Sequence, residues 1–230
     1  VPKVKRVGGS GRGVVYLLLA LITLLLAAVA FMLFGGFFDD EPRTDLERDY
    51  QQLVSALEEY PDNPSILMAL AEVEFMMGRK SDAFDHAEQA AQAATSTAGI
   101  PMSYARMLAE DGRYEDAIVW VDRELELLEE SKSADAKFLK ARILWEMEQQ
   151  DEALELIERA LELAYTAGDV RIVYADWLAE LGRDDEAIDQ YYEALQYLPG
   201  DERAIAGLES LGETYVEPTS TVDPHSETGE

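Results

Sequence analysis

Four alanines, Ala83, Ala117, Ala153 and Ala187, recur at spacings of 34, 36 and 34 residues, each inside a variant of one phrase. The phrases read GRKSDAFDHAEQA, GRYEDAIVWVDRE, EQQDEALELIERA and GRDDEAIDQYYEA. A period of about 34 residues carrying two helical patterns per unit is the mark of a solenoid of stacked helix pairs. One pair cannot bury its apolar face alone, so stacked neighbours complete the core and leave a long surface suited to another polypeptide.

The pattern divides the chain. Leu46, Tyr50, Leu53, Val54 and Leu57 recur at helical spacing, and Pro61-Asp62-Asn63-Pro64 stops that helix, which gives a flanking element over 46–63. Four units follow over 64–97, 98–133, 134–167 and 168–199. Their helix pairs are expected over 65–77 with 81–93, 101–110 with 114–130, 134–147 with 151–165, and 170–181 with 185–197. Pro199-Gly200 ends the last, and a capping helix is expected within 200–214. The tail 215–230 is acidic, carries Pro218 and Pro224, and is expected to be disordered.

Ahead of the repeat, Val14 to Phe34 is a run of 21 residues without charge. At roughly 1.5 Å per residue it covers a ~30 Å hydrocarbon core. Lys3, Lys5, Arg6 and Arg12 precede it, in a basic segment over 1–13, whereas Asp39, Asp40 and Glu41 follow in a linker over 35–45. This asymmetry predicts a single-pass inner-membrane helix over 14–34, its N-terminus cytoplasmic and its repeat domain periplasmic or extracellular. The competing reading is a signal peptide cut after Ala28-Val29-Ala30, which would leave FMLFGGFF as an unusually apolar new terminus. A first residue Val1 fits a GTG start and hence a prokaryotic source.

The formal charge is −28, and beyond residue 13 the chain carries 15 basic against 47 acidic groups. Nucleic acid and anionic lipid headgroups are repelled by such a surface. The acidity serves either a basic partner or adaptation to salt; the 6 lysines and 13 arginines leave both open. The absence of cysteine removes thiol chemistry and cysteine metal sites. Only His86 and His225 are available as imidazole bases, with no nucleophile or metal spacing around them. No catalysis, metal or cofactor is expected.

The repeat resembles the tetratricopeptide repeat (TPR) family. Seven residues before the inter-helix glycines Gly78, Gly112 and Gly182 stand Ala71, Ala105 and Ala175, with Ala141 in the remaining unit. The alanine series of the opening falls five residues after the glycine, and Ala90, Ala160 and Ala194 lie seven further on. Small side chains at these places let helices cross closely. Glu148 replaces the expected glycine and Glu124 an expected alanine. The resemblance, over about Thr44 to Leu211, implies an all-α TPR helix-pair solenoid, a right-handed superhelix, behind the single transmembrane helix.

In that family the first helix of each pair lines the concave face. Carried onto this chain, the resemblance gives an apolar stripe of Met68, Met102, Phe138 and Ile172, three residues before each first-helix alanine. Beside it run Glu72, Arg106, Arg142 and Asp176, then Met76, Glu110, Glu146 and Glu180. Methionines beside aromatics suit an extended or helical peptide of variable sequence. The competing reading packs several of these side chains between helix pairs. The paired Lys and Asn of carboxylate-clamp TPR domains are absent, although Arg106 and Arg142 could meet a carboxylate as bidentate forks.

The expected function is a membrane-tethered interaction scaffold or assembly factor, part of a membrane complex, holding a protein or peptide in the groove. The segment DYQQLVSALEEYPDNP behind one anchor is similar to the membrane-tethered TPR subunits of cytochrome c maturation. The alternative is a stable structural subunit held by its transmembrane helix and solenoid ends.

Overall fold

The computed structural model describes residues 45–216. The expected basic segment 1–13, the transmembrane helix 14–34, the linker up to residue 44 and the tail from residue 217 lie outside the described residues. Among the described residues no helix is long and apolar enough to cross a membrane. The solenoid below lies in the second of two units, which begins at Gln52.

The described residues form ten α-helices, one 3-10 turn and no strand. Helix α1 is Asp45–Glu59, and four pairs follow: α2 Pro64–Met76 with α3 Lys80–Ala93, α4 Ile100–Glu110 with α5 Tyr114–Leu127, α6 Ala134–Glu146 with α7 Gln150–Leu163, and α8 Gly168–Glu180 with α9 Asp184–Tyr197. Helix α10, Glu202–Ser210, closes the series. Contacts are densest inside each pair; the first helices α2 and α4, and α4 and α6, also touch, and α8 touches the closing helix α10. All-α stacking of helix pairs is therefore the observed architecture.

Local chemistry sets the ends. The Asn63 side chain accepts the N–H groups of Ser65 at 3.0 Å and Ile66 at 3.3 Å, and Pro64 sits where its missing N–H has no helical partner. Between the helices of a pair, Gly78, Gly112 and Gly182 adopt φ of 77°, 79° and 72°; Glu148 takes φ 60° at the equivalent point. One non-glycine residue thus holds the left-handed turn its repeat demands.

Small residues at the crossings make the close packing possible. Ala71, Ala105, Ala141 and Ala175 on the first helices, and Ala83, Ala117, Ala153 and Ala187 on the second, are fully buried. The core runs as two adjoining clusters, Leu67 to Ile143 and Ala141 to Leu208, with Ile118 packed against both. Helix α8 starts two residues earlier than expected. A side chain at Gly168 would meet Leu198 Cγ at 2.7 Å, so only glycine lets its start approach the end of α9.

The second departure is α5, which stops at Leu127 rather than running to residue 130. Leu128 turns extended, at ψ 146°, and packs against the first core cluster. The 3-10 turn Glu130–Lys132 then returns the chain. There Ser133 Oγ donates to the Glu130 carbonyl at 2.7 Å, and the buried Lys137 ammonium donates to Ser133 Oγ at 2.7 Å and to Glu130 Oε2 at 3.2 Å. At the other end of the fold Tyr215, the first residue of the expected tail, is half-buried against the second cluster.

Candidate interaction groove

The first helices α4, α6 and α8 bound two adjoining hollows. One, of about 260 Å³, is lined by Arg106, Ala109 and Glu110 of α4, Tyr114 of α5, and Leu139, Arg142, Ile143 and Glu146 of α6. The other, of about 370 Å³, is lined by Phe138, Arg142 and Glu146 of α6, Asp169, Val173 and Trp177 of α8, and Arg203 of α10. Arg142 and Glu146 line both, so the hollows meet along one edge of α6.

This geometry sorts the twelve groove residues expected from sequence. Arg106, Glu110, Phe138, Arg142 and Glu146 come together around the hollows. Met68 and Ile172, at 4% and 2% exposure, belong to the core. Met102 is half-buried against that core. The apolar stripe of four is therefore not continuous, because its two outer members are spent on packing between helices. Glu72 and Met76 remain exposed on α2, outside both hollows, as does Glu180 on α8. Asp176 is engaged within the fold, accepting a hydrogen bond from Tyr191 Oη at 2.6 Å.

Sequence reasoning missed Val173, half-buried in the second hollow, and the buried core residues Leu139, Ile143 and Trp177, which only floor the hollows. They stand two before and two after the first-helix alanines Ala141 and Ala175, one helical turn apart. The lining toward the preceding pair thus lies one stripe over from the expected positions, and the repeat alignment shifted by one residue would have found it. Trp177 stacks on Trp145 with ring centroids 4.5 Å apart and planes 4° from parallel, which gives the second hollow a rigid floor.

The electrostatics are uneven. Arg203 is bound to Asp201 through two contacts, and that pairing holds the Asp201 carboxyl below its usual range. Arg142 lies over the Phe138 ring, 5.9 Å from its centroid, and pairs with no carboxylate among the described residues. Arg106 also reaches no carboxylate among the described residues, whereas eleven other cations there do.

The remaining polar residues flagged by sequence serve the fold. His86 Nδ1 lies 2.7 Å from the buried Glu74 carboxylate. Glu124, where the repeat expects alanine, is buried and accepts the Gly99 N–H with both oxygens, at 2.7 and 2.8 Å. It places a negative charge at the start of α4, where the helix dipole favours one.

Residues 110–198 match the family described as anaphase-promoting complex, cyclosome, subunit 3. Comparison with curated proteins finds no match. Among solved structures, the chain is similar to that reported under "Functional Characterization of Pseudomonas Aeruginosa pilF", with a TM-score of 0.66, 19% identity, and 81% of this chain and 80% of that one covered. MamA gives a TM-score of 0.59 at 19% identity, covering 67% and 89%. YrrB, described as a TPR protein with an unusual peptide-binding site, gives 0.55 at 19%, covering 70% and 91%. At these identities the likeness is one of fold: a TPR-like helical solenoid.

Proposed function

We propose that the chain is a membrane-tethered interaction scaffold or assembly factor that holds a polypeptide partner along α4, α6 and α8, outside the cytoplasm. The observation that carries this reading is the pair of adjoining hollows on successive first helices, which share Arg142 and Glu146. Helix-pair solenoids use such surfaces to hold other chains, and YrrB, of similar fold, is described by its peptide-binding site. The tether rests on the uncharged run 14–34 and its opposed flanking charges. The narrower reading, cytochrome c maturation, rests on the single segment DYQQLVSALEEYPDNP.

A structural-subunit role is the second reading. It draws on the match of residues 110–198 to a family named for a subunit of a large complex. Capture of a partner from membrane extracts separates the two. Under the scaffold reading, Phe138→Ala combined with Arg142→Ala weakens capture while leaving helicity and the thermal midpoint nearly unchanged. Capture that survives those substitutions, and is lost when residues 14–34 are exchanged for an unrelated membrane helix, establishes the structural subunit instead.

A further inference from the structure

Fourteen lysines and arginines lie among the described residues. Eleven of them form ion pairs with carboxylates. Arg79 has a partner too. Arg106 and Arg142 pair with no carboxylate among the described residues.

Geometry explains how they stay unpaired. Arg113, Arg123 and Arg183 each reach an acid three residues ahead, Asp116, Glu126 and Glu186. The nearest acids ahead of Arg106 and Arg142 on their own helix faces are Glu110 and Glu146, four residues on. A base placed N-terminal to an acid at that spacing is the weaker arrangement. Arg142 lies over Phe138 instead. Both guanidinium groups therefore keep their fork of donors for a group that arrives from outside, on the wall of one hollow.

The neighbouring hollow offers a different surface: the half-buried Phe138 and Val173 over a floor of buried Trp177, with Trp145 stacked behind. We infer that the segment held here carries a carboxylate close to a bulky apolar side chain. The carboxylate meets Arg106 and Arg142, and the apolar group seats on Phe138, Val173 and Trp177. This inference rests on the groove reading above and adds the chemistry of the occupant. A polyanion such as nucleic acid does not fit, because Glu110, Glu146 and Asp169 line the same hollows and the whole chain carries −28. A single carboxylate meets the two arginines without bringing further negative charge against that rim.

The test uses the purified full chain and fluorescent dodecapeptides of Gly, Ser and Lys that carry one Asp and one Phe at separations of one to four residues. Anisotropy titration is expected to show Asp–Phe peptides binding about ten-fold more tightly than Asn–Phe or Asp–Ser peptides, the size of one charge-assisted hydrogen bond. Arg106→Ala with Arg142→Ala is expected to erase the preference for Asp and keep that for Phe; Phe138→Ala does the reverse, and Arg142→Lys retains part of the Asp preference. Asn peptides that bind as well as Asp peptides overturn the inference while leaving the groove reading in place. If no peptide binds, or if binding ignores every groove substitution, the groove reading falls as well. A chain that sediments as a dimer and becomes monomeric on Arg142→Ala makes a second copy the occupant and also overturns the assignment.

Discussion

Glu148 occupies a backbone position that three other repeats give to glycine, with φ 60° where Gly78, Gly112 and Gly182 have 72–79°. A side chain in the left-handed region costs roughly 1–2 kcal/mol, partly offset because glycine loses more entropy on folding. Glu148→Gly is accordingly expected to stabilise the fold by about 1 kcal/mol, read as a higher midpoint in chemical denaturation. The tyrosines give a second expectation at this scale. Burial first, and then hydrogen bonds to Asp176 and Glu158, hold the phenols of Tyr191 and Tyr174 above their usual range. The native state therefore keeps protons that the unfolded chain releases above about pH 10, and stability falls as pH rises through that range. Tyr191→Phe is expected to flatten the decline of the denaturation midpoint as pH rises above about 10, while a slope equal to the parent's contradicts the assignment.

At the scale of elements, the alanine period settles most of the architecture. A crossing too tight for anything larger leaves the same small residue at the same place in every unit, and all eight principal alanines are fully buried. Ala153→Leu, at the meeting of α7 with α6, is expected to lower stability by roughly 1–3 kcal/mol through overpacking; an unchanged thermal midpoint contradicts that crossing. Periodicity could not show where α5 ends, because Leu128 continues the apolar stripe in sequence while its backbone has already turned extended. Nor could it resolve which apolar stripe lines the groove. Ile172 and Val173 are adjacent and equally apolar, yet Ile172 packs inward and Val173 lines the second hollow. Only the angle between neighbouring helices separates them, and that angle is set by contacts between units. Polar residues were more legible, since Arg106, Glu110, Arg142 and Glu146 have no place in a core and fall together around the hollows.

For the molecule as a whole, the central claim is that the face of first helices, rather than the outer helices or the N-terminal segment, holds the partner. Neither acidity nor hollows alone choose that face, since every helix carries acidic residues and hollows of about 530 and 460 Å³ lie along second helices; Arg106 and Arg142, which pair with no carboxylate among the described residues, favour it. The most direct measurement places a photo-crosslinking residue singly at Glu110, Glu146, Glu88 or Glu155 in the full chain expressed in cells. Glu110 and Glu146 line the hollows, whereas Glu88 and Glu155 are exposed on the second helices α3 and α7. The account predicts one crosslinked polypeptide from Glu110 and Glu146, diminished by Arg142→Ala, and none from Glu88 or Glu155. Crosslinks that arise from Glu88 and Glu155 while Glu110 and Glu146 stay silent would contradict it.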